Sequence, residues 1–283
     1  MSRKLALAAT TALALAGLAS PAAALGWGRG AKADKPVAAT PTAAPSARPA
    51  APPPKVSPQE RAMAERLDPL ARSAFWANVL NGDPSDAEAG VKLAGALRLL
   101  GRADESTLAA QRVLVMQPDN VEALLEVGRG FIGQQQGFYA IEPVRRAQQL
   151  KPHDWRAPAL LAVALEQAER DDEALTAHRQ ALALAPTNPT VLSNLGMYYA
   201  SHGDSAQAER YLRQAAADPN ATVQIRQNLT LVLGLQGRLD EAEQLARRDL
   251  PPAVVANNLA YLRAATGETP GRNWDSLRTP SQN

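Results

Sequence analysis

Apolar and small residues recur along this chain with a period of 34 positions. Prolines mark the period at Pro84, Pro118, Pro152 and Pro186, each 34 residues after the one before. Beyond the last of them, helix-spaced leucines keep the same register. A fixed period of this length predicts stacked helical hairpins, because each hairpin buries its apolar face against the next.

Each unit is predicted to contain two helices, called here helix A and helix B. Helix A carries a large residue and then a small one at its seventh and eighth positions, where the neighbouring helix crosses closely. These pairs are Leu93-Ala94, Val127-Gly128, Leu161-Ala162, Leu195-Gly196 and Leu229-Thr230. Gly101, Gly203 and Gly237 are predicted to end helix A in a left-handed conformation. A proline after helix B then closes the unit, because proline cannot continue a helix.

This spacing of large and small residues resembles the tetratricopeptide repeat (TPR) over about residues 57–266. The resemblance implies an all-α fold, a right-handed solenoid of antiparallel helix pairs with about five repeats and a C-terminal capping helix. Two departures stand out. Asp171-Asp172 occupies the turn where glycine is usual, and Pro143 lies inside a helix B, which it is expected to kink or to delay.

The first 24 residues have the features of a secretory signal peptide. A basic start at Arg3 and Lys4 precedes an apolar stretch over residues 5–19, and Ala22-x-Ala24 forms a cleavage pattern. Cleavage near Ala24 predicts a periplasmic protein, while an uncleaved anchor is the alternative. A lipid anchor is not expected, because the chain contains no cysteine.

Composition distinguishes two further segments and shows where the net charge arises. Residues 25–56 are rich in Ala and Pro and are predicted to form a disordered linker, and residues 267–283 a disordered tail. The net charge of +2 arises in the leader and linker, since residues 1–57 hold seven Lys/Arg and one Asp. Residues 58–266 hold 21 Lys/Arg against 25 Asp/Glu, which argues against a nucleic-acid partner.

The candidate chemistry is sparse. The absence of cysteine excludes a thiol nucleophile and zinc-thiolate sites, and the spacing of His153, His178 and His202 matches no metal signature. Residues 128–133 match the dinucleotide fingerprint G-x-G-x-x-G, but they fall in a predicted helix A with no strand before it. Gly128 is therefore interpreted as a packing residue. We expect no catalytic residue, metal, cofactor or small-molecule substrate, and a protein that is not an enzyme.

The TPR resemblance implies that the A helices line a concave face with their second, fifth, sixth, ninth and twelfth positions. The predicted peptide-binding groove consists of Val91, Leu125, Arg129, Ile132, Ala159, Val163, Ser193, Asn194, Met197, Gln227, Asn228 and Leu231, with Gly95 and Glu166 beside them. An apolar floor with a few amides predicts an apolar or amphipathic partner segment. Asn194 and Asn228 could bond a peptide backbone or pack within the fold.

The C-terminal third has a narrower resemblance, to TadD-like proteins of the bacterial tight-adherence (Flp) pilus system. The matching segments are Asn194–Gly203, Arg226–Glu243, Arg248–Pro252 and Ala256–Arg263. The resemblance implies a periplasmic adaptor that binds a pilus or secretin component and meets the membrane only indirectly. Members of that family are commonly lipoproteins, but here Leu18 follows Leu15-Ala16-Gly17 where the lipidated cysteine would stand. A scaffold for a polysaccharide-export or cell-wall complex and a chaperone for pilin subunits remain alternatives.

Overall fold

The structure, a computed structural model, describes residues 56–266, which form thirteen α-helices and no β-strand. The helices are α1 (Pro58–Ala64), α2 (Pro69–Gly82), α3 (Ala87–Leu99), α4 (Ala103–Met116), α5 (Val121–Gly133), α6 (Gly137–Leu150), α7 (Arg156–Gln167), α8 (Asp171–Leu184), α9 (Pro189–Ser201), α10 (Ser205–Ala216), α11 (Val223–Leu235), α12 (Leu239–Ala246) and α13 (Pro252–Thr266). The predicted all-α fold is confirmed. The predicted signal peptide, tail and nearly all of the linker lie outside the described residues.

Ten of the helices form five successive hairpins, from α3/α4 to α11/α12. The A helices are α3, α5, α7, α9 and α11, and each contacts its own helix B, the preceding helix B and the adjacent A helices. The helices α1 and α2 precede this array, and α13 packs against α11 and α12. The hairpins therefore stack into a solenoid that α13 closes at its C-terminal end. None of the helices described is both long and apolar enough to cross a membrane.

Polar residues with the same period fix the beginning of each A helix. Asp86, Asn120, Asn188 and Thr222 each accept a hydrogen bond from a backbone N–H in the first turn of their helix. Asp154 stands at the corresponding place and accepts from the N–H of Arg156 at 3.0 Å. Such caps contribute about 1 kcal/mol each, so local sequence sets where every A helix starts.

A left-handed residue ends every A helix. Gly101, Gly203 and Gly237 have φ values of 73°, 81° and 79°, which confirms the predicted turns. Gln135 and Glu169 occupy the same repeat position with φ values of 59° and 57°. The residue that replaces glycine in the third turn is therefore Glu169, whereas the predicted Asp171-Asp172 already belongs to α8. A left-handed conformation costs a residue with a Cβ about 1–2 kcal/mol.

Pro143 lies within α6 without delaying its start. That helix begins at Gly137, 34 residues after the first residue of α4. Of the two predicted effects, a kink or a delayed start, the delay is wrong, because burial of Ala140, Ile141 and Val144 holds this part of α6 in the core. Packing on both sides of Pro143 therefore outweighs the single backbone hydrogen bond that proline removes.

Candidate peptide-binding groove

The structure divides the twelve predicted groove residues by exposure. Leu125, Ala159 and Ser193 are buried, with exposed fractions of 0%, 4% and 3%. The other nine are partly exposed on the A helices: Val91, Arg129, Ile132, Val163, Asn194, Met197, Gln227, Asn228 and Leu231. The expectation that Leu125 forms an exposed floor is wrong, because it joins the core cluster that contains Leu161 and Leu165. Binding by the nine partly exposed residues stays a prediction.

The N-terminal part of the A-helix face carries many charged side chains beside its apolar surface. A cavity of about 370 Å³ lies there. Its lining comprises Glu65, Arg72, Val91, Lys92, Gly95, Ala96, Arg98, Leu99, Glu122, Glu126, Arg129 and Arg156. We call this cavity the charged half of the groove. Of its charged residues, the sequence prediction included only Arg129. Lys92, Glu126 and Arg98 could have been predicted too, because they stand at the sixth and twelfth helix A positions that the TPR resemblance assigns to the groove.

Glu126 lies at the centre of the charged half. It is only 7% exposed, and its two oxygens accept from different arginines. Arg98 Nε lies 3.1 Å from Oε2, and Arg129 Nη1 lies 2.6 Å from Oε1. Arg98 belongs to α3 and Arg129 to α5, so this carboxylate joins two repeats. A buried carboxylate held in this way is costly to leave without partners.

Arg156 forms the edge of the charged half nearest α7. Its guanidinium donates to both oxygens of Glu122, at 2.7 and 2.8 Å, and to both oxygens of Asp154. These hydrogen bonds hold the pKa of the Glu122 and Asp154 carboxyls below their ordinary values. Two carboxylates on one guanidinium leave Arg156 little capacity to bind a third.

Arg72 and Lys92 complete the cationic lining. Arg72 Nη2 donates to the backbone carbonyls of Glu65 and Leu67, at 2.9 and 2.8 Å. Its Nε is buried and, among the described residues, has no hydrogen-bond partner. Lys92 Nζ lies 3.3 Å from a carboxylate oxygen of Glu65, and both side chains are 39% exposed. Arg72 is therefore a cation that pairs with backbone carbonyls and with no carboxylate of residues 56–266.

The C-terminal part of the A-helix face carries no charge among its predicted groove residues. We call Ser193, Asn194, Met197, Gln227, Asn228 and Leu231 the neutral half of the groove. Asn228 Nδ2 donates to Ser193 Oγ at 3.1 Å, and Asn228 Oδ1 accepts from Gln224 at 3.0 Å. These contacts favour the structural role for Asn228. Asn194 is partly exposed, and its amide bonds to no other residue in the described range.

Comparisons with known proteins agree with this architecture. Residues 190–218, which cover all of α10 and all but the first residue of α9, match the family model of the tetratricopeptide repeat. The chain is similar to the crystal structure of a thermophilic TPR protein from Thermus thermophilus, with 18% identity and a TM-score of 0.54. That match covers 62% of this chain and 94% of the other. The fold is a TPR solenoid.

Other solved structures and the curated proteins add little to that result. MamA from Desulfovibrio magneticus RS-1 is 20% identical with a TM-score of 0.47, over 55% of this chain and 90% of its own. A MamA RS-1 double mutant is 21% identical with the same score, over 55% and 90%. No curated protein matches the chain. The comparisons thus establish the TPR fold and leave the function to be argued from the groove.

The glycine motif at residues 128–133 serves TPR packing. These residues lie inside α5, and no strand precedes them in the described part of the chain. A Cβ on Gly128 would lie 2.3 Å from Val144 Cγ2 of α6, and one on Gly130 would lie 2.1 Å from Thr107 Oγ1 of α4. The packing role predicted for Gly128 is confirmed, and Gly130 has the same role towards the preceding helix.

The histidines also take part in packing and helix termination. His178 is 1% exposed, contacts the ring of Tyr198 and places Nε2 at 2.6 Å from Glu166 Oε1. His202 caps α9 and stacks on Tyr198, whereas His153 is exposed between helices. Within residues 56–266, no three His, Cys, Asp or Glu side chains come close enough together to hold a metal.

Proposed function

We propose that this protein is a non-enzymatic periplasmic adaptor whose TPR groove binds a peptide segment of a partner during tight-adherence pilus or secretin assembly. The observation that carries the proposal is the row of five adjacent A helices. Their partly exposed side chains form a charged half and a neutral half of one groove. TPR solenoids present extended concave surfaces of this kind to other proteins.

The assignment to pilus assembly is supported by the sequence resemblance of the C-terminal repeats. The resembling segments occupy α9 and the consecutive helices α11, α12 and α13. In α13, Val255, Leu259 and Leu262 are buried against the end of the array. The segments that resemble the pilus family are therefore those that end the solenoid and supply its neutral half.

Co-purification from a cell-envelope extract tests the adaptor function. The groove variant carries Met197→Glu and Leu231→Glu, because both side chains are partly exposed in the neutral half. The control carries Val115→Glu and Met116→Glu, two exposed apolar positions on the helix B α4. We expect the natural protein and the control to retain a secretin or a pilus assembly component other than pilin, and the groove variant to lose it, because charge on an apolar contact costs affinity.

Other outcomes of this experiment distinguish the alternatives. Groove-dependent capture of polysaccharide-export or cell-wall proteins would replace pilus assembly by a scaffold role in those complexes. Capture of pilin subunits alone would indicate a chaperone. Equal capture by the groove variant and the control would contradict the groove assignment.

Localisation requires a separate measurement. We propose export with cleavage near Ala24, supported by the Ala22-x-Ala24 pattern. Cell fractionation is expected to recover the protein with periplasmic contents, and N-terminal sequencing should begin at Leu25. An intact Met1 in the recovered protein would contradict this proposal.

A further inference from the structure

We infer that the partner segment is acidic where it crosses the charged half of the groove, with its carboxylates bound by Arg72, Lys92, Arg98 and Arg129. The inference rests on the proposed function, since it names the chemistry of the segment that the groove takes. It also narrows the apolar or amphipathic segment predicted from sequence to an amphipathic one with acidic residues, because this half of the groove has charged as well as apolar lining residues.

The first argument is local charge. Five cations line the cavity of the charged half, against three glutamates. The repeat region as a whole has the opposite excess, with 21 Lys/Arg and 25 Asp/Glu over residues 58–266. A local excess of cations within an acidic domain favours an acidic segment at this cavity.

The second argument is unused hydrogen-bonding capacity. A guanidinium has five N–H donors, and Arg98 and Arg129 each give one of them to Glu126. Their side chains remain 35% and 21% exposed, so further N–H groups are open to a ligand. Glu126 holds the two guanidinium groups together from neighbouring helices, which favours a carboxylate that bonds both.

The third argument is that Arg72 has no carboxylate partner among the described residues. Its Nη2 donates to the backbone carbonyls of Glu65 and Leu67, and its side chain lines the same cavity. The Nε is buried and closed to a ligand, so the inferred contact uses the other N–H groups of this guanidinium. Arg156 is excluded from the inferred contacts because Glu122 and Asp154 already occupy it.

A nucleic acid is the other polyanion that could use arginines. It would track phosphates along an extended basic surface, whereas the predicted groove residues of the neutral half carry no charge. The distribution of charge therefore favours an acidic peptide.

Fluorescence anisotropy with labelled peptides tests the inference on the whole protein as it is recovered from cells. The probes are a peptide of alternating Glu and Leu, a Gln/Leu peptide of equal length and a Lys/Leu peptide, with an oligothymidylate as the nucleic-acid probe. We expect the Glu/Leu peptide to bind about tenfold more tightly than the Gln/Leu peptide, which corresponds to ~1.4 kcal/mol. This preference should shrink as salt is added, because salt screens the charges.

A triple variant, called the neutralised triad, tests whether Arg98 and Arg129 bind the acidic peptide. Arg98→Gln, Glu126→Gln and Arg129→Gln are introduced together, so that no buried charge loses its partner. The matched control changes Glu142, Arg145 and Arg146 of the helix B α6 to Gln, which alters the net charge equally. We expect the triad variant to lose the preference for the Glu/Leu peptide and the control to keep it, with circular dichroism verifying the fold of both.

Lys92→Glu gives a second test if the triad variant does not fold. Lys92 is 39% exposed, so its replacement disturbs no core, and Arg112→Glu on α4 is its control. A several-fold loss for Lys92→Glu alone supports the inference. Equal binding of the Glu/Leu and Gln/Leu peptides to the natural protein overturns it. A Glu/Leu preference that survives in the folded variants also overturns it, as does binding of oligothymidylate that is tighter than that of the Glu/Leu peptide.

The inference and the proposed function can fail separately. If Met197→Glu with Leu231→Glu abolishes envelope-partner capture but the neutralised triad does not, the adaptor function stands and the acidic segment is wrong. If the natural protein prefers the Glu/Leu peptide and the triad variant does not, but no envelope partner is captured, the charge preference stands and the pilus role is wrong.

Discussion

The charged and neutral halves of the groove are built on equivalent A helices of the same repeat, yet they differ in how neighbouring repeats are joined. In the charged half, Glu126 accepts from Arg98 of the preceding repeat, and Arg156 donates to Glu122. In the neutral half, the corresponding link is the hydrogen bond from Asn228 to Ser193. The comparison shows that the repeat fixes the helix positions of these side chains, while their charge decides which links form between repeats.

Removing the central acceptor of each half should show the largest difference between them. We expect Glu126→Ala to lower the free energy of unfolding by about 2–3 kcal/mol, because two partly buried arginines lose their shared carboxylate. Asn228→Ala should cost about 1 kcal/mol, the value of a neutral hydrogen bond. Urea denaturation measures both, and equal losses would contradict the distinction between the two halves.

Overpacking the eighth position of α5 comes next. Gly128→Leu should lower stability by roughly 1–3 kcal/mol, because the new side chain meets Val144, which is buried and stiff at χ1. Thermal unfolding should show a lower Tm for the variant. A rise in the Tm of the natural protein with NAD or FAD would instead indicate a dinucleotide site, contrary to the packing role.

The turns allow a smaller change in the stabilising direction. Glu169→Gly should raise the free energy of unfolding by about 1 kcal/mol, because glycine adopts its left-handed conformation without strain. The matched reverse change, Gly203→Ala, should lower the free energy of unfolding by a similar amount. A Cβ on Gly203 would meet no other atom within 4 Å, so backbone strain alone would account for the loss. A stability loss for Glu169→Gly would mean that its side chain, rather than its backbone, matters in this turn.

The smallest predicted effect is the contribution of Arg156 to the loss of stability in acid. The pKa values of Glu122 and Asp154 are lowered in the folded protein, chiefly by hydrogen bonds from Arg156. Their contribution is therefore present above the unfolded pKa of about 4 and is lost as pH falls through the lower folded values. Partly exposed pairs contribute about 1 kcal/mol or less.

The measurement is the difference in unfolding free energy between about pH 7 and about pH 3. The natural protein should lose slightly more stability on acidification than the Arg156→Gln variant. An identical loss in both proteins would show that Arg156 does not control these two carboxyls.

Much of the fold could be predicted because its signals are local and repeated. The pairs at the seventh and eighth positions indicated the helix crossings, and Gly101, Gly203 and Gly237 indicated the turns. Glu169 was missed in its turn because nothing in its side chain requires a left-handed backbone. Pro143 was expected to kink α6 or to delay its start, since the strength of packing around it was not visible in sequence.

The candidate site was less predictable. Its helix positions followed from the repeat, but Leu125 and Ile132 occupy groove positions of the same helix and differ in burial. Which positions face a neighbour depends on the angle between adjacent A helices, and no single helix encodes that angle. Charged residues such as Lys92 and Arg98 were visible in the sequence, but only the structure showed that they line one cavity.

The sequence by itself determined the helices, their period and their ends, because caps, turns and apolar spacing act within one unit of the chain. Only the tertiary structure decided that Arg98 and Arg129 share Glu126, that Leu125 is withdrawn into the core and that Arg72 keeps a buried nitrogen without an acceptor among the described residues. Contacts between repeats join residues far apart in the chain. Their geometry arises when all the helices pack together, since the burial and the contacts of a side chain depend on the residues around it.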